Sequence, residues 1–248
     1  MPASIRNMLV KLNNPVLLSG VIDIISELVT EVRIKIGEFG LSITATDPAN
    51  VAMVSFKLPK SAFSQFETGN EVLGVNLDNL KRILKRCGSG SSLILEKREN
   101  LLNILIEDKI RRNFTLGLID IDGEEKEMPY LEYSANIEIS SPDFIDSIED
   151  CAVVADACSF VTENGKFVVK AKNMDSARSE FSSDEAKIDA ENASSKYSIE
   201  YLQKFMRAGK ISPKTSIKFA TDHPLRMDFR TEHLELSFLL APRVETED

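Results

Sequence analysis

The spacing of apolar residues changes along the chain in an order that occurs twice. A short alternating stretch ends at Asn13-Asn14-Pro15, and Val16, Leu17, Val21, Ile24, Ile25 and Leu28 then follow at helical spacing. Ser140-Ser141-Pro142 lies 127 residues further on and opens a second such segment, with Phe144, Ile145, Ile148, Ala152 and Ala155. Proline in the first turn loses no hydrogen bond, so both signatures predict helix starts, with Asn14 and Ser141 as caps and the second helix spanning 142–156. The period then falls to two, in VRIKIGEFGLSITATD (32–47) and ANVAMVSFKLP (49–59) in the first half. CSFVTENGKFVVKAKN (158–173) and ARSEFSS (177–183) do the same in the second. These segments read as half-buried antiparallel strands. Helical spacing returns in LDNLKRILKRCG (77–88) and IEYLQKFMRAGK (199–210), where Leu80 matches Leu202, Arg82 matches Lys204 and Lys85 matches Arg207. SSLILEKRENLLNILIE (91–107) and TSIKFATDHPLRMDFR (215–230) close the halves in alternation. The pattern predicts an α+β fold of two tandem similar domains, helices on one face of antiparallel sheets, at 1–117 and 134–248. The acidic stretch LIDIDGEEKEMPYLEY (118–133) between them reads as a solvated connector. Its Asp120, Asp122, Glu124 and Glu125 lack the ligand spacing and closing glutamate of a calcium loop.

Composition narrows the function classes. Apolar residues make up 43% and no run reaches the roughly 18 residues of a membrane span, and the first residues lack a secretory apolar core, so the expectation is a soluble intracellular protein. Cys87, Cys151 and Cys158 are odd in number and lack paired spacing, which favours buried thiols over a disulfide or zinc framework. His223 and His233 are the only histidines, no nucleophile, zinc or phosphate-loop motif occurs, and neither catalysis nor a metal or cofactor is expected.

A net charge of −9 argues against a general nucleic-acid binder, so the placement of basic residues decides the matter. Lys81, Arg82, Lys85 and Arg86 oppose Leu77, Leu80, Ile83 and Leu84 on one predicted helix, and Lys204, Arg207 and Lys210 recur on its repeat equivalent. Two equivalent basic faces in an acidic chain suit phosphate contacts; a solvated face is the alternative reading. The helix at 142–156 breaks the pattern, because it has no Lys or Arg and presents Asp143, Asp146, Glu149 and Asp150.

The order of elements, DPANVAM (47–53), GVNLDNLKRILKR (74–86), LIDID (118–122) and LLAPRVE (239–245) together resemble the proliferating cell nuclear antigen family of DNA sliding clamps, the archaeal form most closely. The resemblance implies a ring-forming trimer of two-domain subunits that encircles double-stranded DNA without reading its bases and has no catalytic residues. Subunits would join through edge strands at 109–117 and 174–183, and the seven basic residues of the two helices would face DNA. It further implies an apolar pocket of Val51, Met53, Met128, Pro129, Pro224, Leu239, Leu240, Ala241 and Pro242. The pocket's ligand would be a short peptide with a glutamine, an aliphatic residue and paired aromatics, carried by DNA polymerase, clamp loader, flap nuclease or ligase. The location implied is cytoplasmic at the nucleoid in an archaeon, nuclear in a eukaryote. The acidic helix keeps a checkpoint-type or heterotrimer clamp subunit as one alternative; a two-domain hydrolase with an unrecognised site is another.

Overall fold

A computed structural model describes residues 8–123 and 125–244; Glu124 of the acidic run and Glu245 of the terminal motif lie outside them. Two compact units emerge, and each draws a segment from the other half of the sequence.

The first unit takes 55–127, 232–234 and the described part of 1–45. Its elements are β1 (Leu9–Leu12), α1 (Val16–Ile25), β2 (Glu31–Gly37), β3 (Gly40–Thr46), β4 (Ala52–Pro59, here from Ser55), β5 (Gln65–Glu67), β6 (Glu71–Asn76), α2 (Leu77–Leu84), β7 (Ser92–Arg98), β8 (Leu101–Glu107) and β9 (Arg111–Gly117). One sheet runs β5-β1-β7-β8-β9; in the other, β3, β2 and β6 are neighbours, with Ile34 paired to both Ile43 and Leu73. Alternation sends Val32, Ile34 and Ile36 into the core, and Val21, Ile22 and Ile25 of α1 and Leu77 of α2 are fully enclosed there.

The second unit takes 46–54, 128–231 and the described part of 235–248. It comprises β10 (Ala135–Ser140), α3 (Ser141–Val154), β11 (Ala157–Glu163), β12 (Lys166–Lys172), β13 (Ser176–Phe181), β14 (Ala186–Ala190), β15 (Ala193–Ser198), α4 (Ile199–Met206), β16 (Lys214–Phe219), β17 (Leu225–Thr231) and β18 (Leu234–Leu240). A 3-10 turn, Arg207–Lys210, extends α4. The strand orders β14-β10-β16-β17-β18 and β13-β12-β11-β15 reproduce the first unit's arrangement strand for strand. The predicted repeat and α+β class are therefore present in the backbone. Phenylalanines fill this core: Phe160 lies 5.6 Å from both Phe144 and Phe167, and Phe205 stacks on Phe238 at 4.4 Å.

Three local expectations are corrected. Asn14 does not cap α1: Pro15 holds the cap position, its carbonyl accepts from Ser19 N at 2.9 Å, and no side chain caps. Ser141 is the first residue of α3 rather than its cap, because its buried hydroxyl donates to Ser212 O at 2.8 Å and shares a 2.9 Å bond with Thr215 Oγ1. The side-chain cap that does form is on α2, where Asn76 Oδ1 accepts from Asn79 N at 3.1 Å. The buried face of α1 is also rotated, since Leu18 and Ile22 are enclosed while Val16 is 44% exposed.

The connector is not a free solvated linker along its whole length. Leu118 N donates to Asn100 O at 2.8 Å and Ile119 N to Gly74 O at 2.9 Å, while Arg33 donates to the carbonyls of Ile121 and, at 2.7 Å, Gly123. A cation and paired backbone groups thus fasten 118–123 to β2 and β6. A methyl group on Gly74 would lie 2.0 Å from Ile119 O, so glycine is what permits this approach. Cys151 and Cys158 are buried as expected, while Cys87 is only half-buried.

Candidate functional site

Among the described residues no grouping of His, Cys, Asp or Glu could hold a metal ion, and no helix is long and apolar enough to cross a membrane. What stands out chemically is a set of charged helix faces.

The seven basic residues separate into two kinds. On α2 and the turn after it, Arg82, Lys85 and Arg86 are exposed, but Lys81 Nζ lies 3.0 Å from Asp23 Oδ1 on α1 and from Ser26 Oγ just after it, and Lys85 Nζ lies 3.1 Å from the same carboxylate. Asp23 therefore gathers two of the four cations; its place in an apolar helical run gave no sequence signal for that role. In the second unit Lys204 Nζ pairs with Glu200 at 2.8 Å and lies 5.2 Å above the Tyr201 ring, which half-buries it. Arg207 and Lys210 sit exposed on the 3-10 turn beyond it. Beside α4 lies α3, whose Asp143, Asp146, Glu149 and Asp150 are exposed, and Glu149 accepts from Gln203 Nε2 at 3.4 Å.

All nine residues of the expected pocket fall within the second unit. Ala241 N donates to Val51 O at 2.9 Å, which joins the segment after β18 to the 47–51 turn. Val51, Met53, Met128, Pro224, Ala241 and Pro242 are half-buried and Pro129 is exposed. Leu240 is completely enclosed and Leu239 nearly so, because alternation at the end of β18 directs Leu240 into the core, so neither is open to line a pocket. Two open cavities of the unit, about 580 and 540 Å³, include none of the nine.

Sequence reasoning missed three polar supports here. The Tyr133 ring meets His223 edge-on at 5.8 Å, and Tyr197 Oη donates to His223 O at 2.7 Å, fixing the segment before Pro224. Burial pushes the Tyr133 hydroxyl up to about 12. Asp47 is the third: its Oδ1 accepts from Val51 N at 2.8 Å and Ala52 N at 2.7 Å. An aspartate ahead of Pro-Ala-Asn is a turn signature that sequence could have supplied, and Asn50 duly adopts a left-handed φ of 57°.

Family models for the N-terminal and C-terminal domains of proliferating cell nuclear antigen match residues 8–126 and 127–244. The chain belongs to the proliferating cell nuclear antigen family. It is 34% identical over 233 residues to the DNA polymerase sliding clamp of Pyrococcus furiosus, spanning 90% of this chain and 93% of that one. The DNA polymerase sliding clamp of Thermococcus gammatolerans is 36% identical over 229 residues, spanning 89% and 92%. The crystal structure of the Entamoeba histolytica antigen shares the fold, with a TM-score of 0.89 at 22% identity over 97% of this chain and all of that one. Membership accounts for the doubled architecture described above.

Proposed function

We propose that this chain is a subunit of a DNA polymerase sliding clamp, a non-enzymatic ring that holds replication and repair enzymes on duplex DNA. The observation that carries the reading is the pair of repeat-equivalent helices, α2 and α4, which concentrate basic residues in a chain of net charge −9. Loose phosphate contacts from such faces release counterions without reading bases, which is what sliding requires. Archaeal relatives support a place in the cytoplasm beside the nucleoid. Domains at 1–117 and 134–248, with 118–133 as connector, remain the working division of the chain.

Assembly is proposed to occur through free strand edges. Among the described residues, β9 and β13 end their sheets. Their repeat equivalents are β18 and β4, and within the second unit these meet where Ala241 N bonds Val51 O. That contact supplies a register. The turn bonds Asp47 N to Ala52 O and Asn173 N to Asp175 O are equivalent, so Val51 corresponds to Met174; Leu240 and Leu116, the last core-facing residues of their strands, correspond likewise. Carried over, the register sets Gly117 opposite Met174 of a second copy, Phe114 opposite Ala177 and Arg111 opposite Glu180. A bulky ring then meets a small residue and a cation meets an anion. Two edges of one chain that fit each other favour three copies of this chain over a mixed ring.

Light scattering should report three chains per particle. Stimulation of a DNA polymerase should be strong on primed circular DNA and weak on short open-ended duplex, from which a ring slides off. A strictly monomeric protein, or equal stimulation on both templates, removes the reading. Partner enzymes are proposed to dock by a short peptide on the surface of Val51, Met53, Met128, Pro129, Pro224, Ala241 and Pro242. Each anchoring side chain there contributes about 1.5 to 3 kcal/mol by burial, which suits exchangeable micromolar binding.

A further inference from the structure

Asp47 is only 5% exposed, yet it is a charged residue on a turn, and its carboxylate makes contacts in two directions. Oδ1 gathers the amides of Val51 and Ala52, which closes the turn on itself, and Asn50 N donates to Asp47 O at 3.0 Å within the same loop. Oδ2 instead receives the Tyr201 hydroxyl from the first turn of α4, at 2.6 Å. The Tyr201 ring is itself held: Lys204 Nζ lies 5.2 Å above it and Phe205 packs edge-on at 6.4 Å. Phe205 in turn stacks on Phe238 of β18. The turn is thereby seated on a helix anchored in the phenylalanine core, and the residues immediately after the seat are Val51 and Met53.

We infer that the Asp47–Tyr201 pair is a positioning element for peptide docking: it fixes the 47–51 turn on α4 so that Val51, Met53 and the backbone joined to Ala241 present one preformed surface. The inference rests on the docking reading above. Neither residue needs to touch the peptide. A turn left to fluctuate would have to be ordered on binding, and that ordering cost is drawn from affinity. The seat also lies on the helix that carries Lys204 and leads to Arg207 and Lys210, so the docking turn and one proposed DNA-facing element share a single support.

The test uses the assembled full-length protein and a synthetic peptide bearing a glutamine, an aliphatic residue and paired aromatics, titrated by calorimetry. Tyr201→Phe removes one hydroxyl and should weaken binding about 5-fold, and Asp47→Ala at least 10-fold, near the scale of one to two hydrogen bonds. Asp47→Asn should restore affinity to within about 3-fold of wild type, since its carbonyl still accepts the two amides and its NH2 can donate to the Tyr201 oxygen. Hydrogen exchange at the Val51 and Ala52 amides should accelerate in Tyr201→Phe while particle mass is unchanged, a local loosening that a general loss of stability would not confine to the turn. Met128→Glu, on the proposed surface itself, should abolish binding. If Tyr201→Phe and Asp47→Ala bind like wild type while Met128→Glu does not bind, the positioning role is overturned and the docking surface stands. If Met128→Glu binds like wild type, or wild type does not bind, the docking reading fails and takes the positioning role with it.

Discussion

Tyr201 Oη donates to Asp47 Oδ2 at 2.6 Å, joining two residues 154 positions apart in sequence. Burial by itself raises the Asp47 pKa, but hydrogen bonds from Ala52, Tyr201, Val51 and Ala49 outweigh it and leave the group below its ordinary value of 3.8. A carboxylate whose folded pKa is depressed adds stability above its unfolded pKa and loses it as pH falls through the folded value. The melting temperature of wild type should therefore exceed that of Asp47→Asn by a constant margin from pH 7 to about 5, worth about 1 kcal/mol, and the margin should shrink below about pH 4. A margin that persists to pH 2.5 would show that the carboxylate charge is not its source.

Exposed and paired cations should differ in their effect on DNA. Arg82→Ala and Arg86→Ala are expected each to lower the salt dependence of ring retention on circular DNA by about one counterion. Lys81→Ala should change it less, since its ammonium already lies 3.0 Å from Asp23, and should instead loosen the contact between α1 and α2. Retention half-life measured across a salt series separates the two outcomes; equal slopes for all three variants would contradict the division.

The proposed strand register makes a covalent prediction. Ala241 and Val51 form a hydrogen-bonded pair, so Phe114 and Ala177 of a second copy fall on a non-hydrogen-bonded pair, with Cα atoms about 4.5 Å apart, a spacing a disulfide accepts. Phe114→Cys with Ala177→Cys should oxidise to a ladder ending at three linked chains on a non-reducing gel. Phe114→Cys with Ser179→Cys, offset by two residues, should crosslink poorly. The reverse preference would require a different register.

Gly74→Ala should destabilise the first unit by about 3 kcal/mol, because the added methyl must displace the Ile119 backbone rather than a flexible side chain. Chemical denaturation measures the loss. Protease cutting within 118–123 should increase alongside it, as the bond from Ile119 N to Gly74 O is broken.

The doubled α+β architecture was legible from the chain because it rests on local rules. The switch between periods of 3.6 and 2, the prolines at Pro15 and Pro142, and the repetition of leucines and basic residues in 77–88 and 199–210 each speak within a dozen residues. Burial of Ile34 or Phe144 follows directly from such spacing. What only tertiary structure decided depends on partners far away in sequence. Asn14 and Ser141 have capping chemistry, but whether a hydroxyl caps or turns to Ser212 and Thr215 depends on what the fold brings beside it. Lys81 and Lys85 read as projecting charges until Asp23 is set beside them, and the acidic connector reads as solvated until Arg33 reaches its carbonyls. The Asp47–Tyr201 contact is the extreme instance. Sequence shows an aspartate in a turn and a tyrosine on a helix, but a hydrogen bond needs its donor and acceptor within about 3 Å, and only the folded chain brings atoms 154 residues apart to that distance.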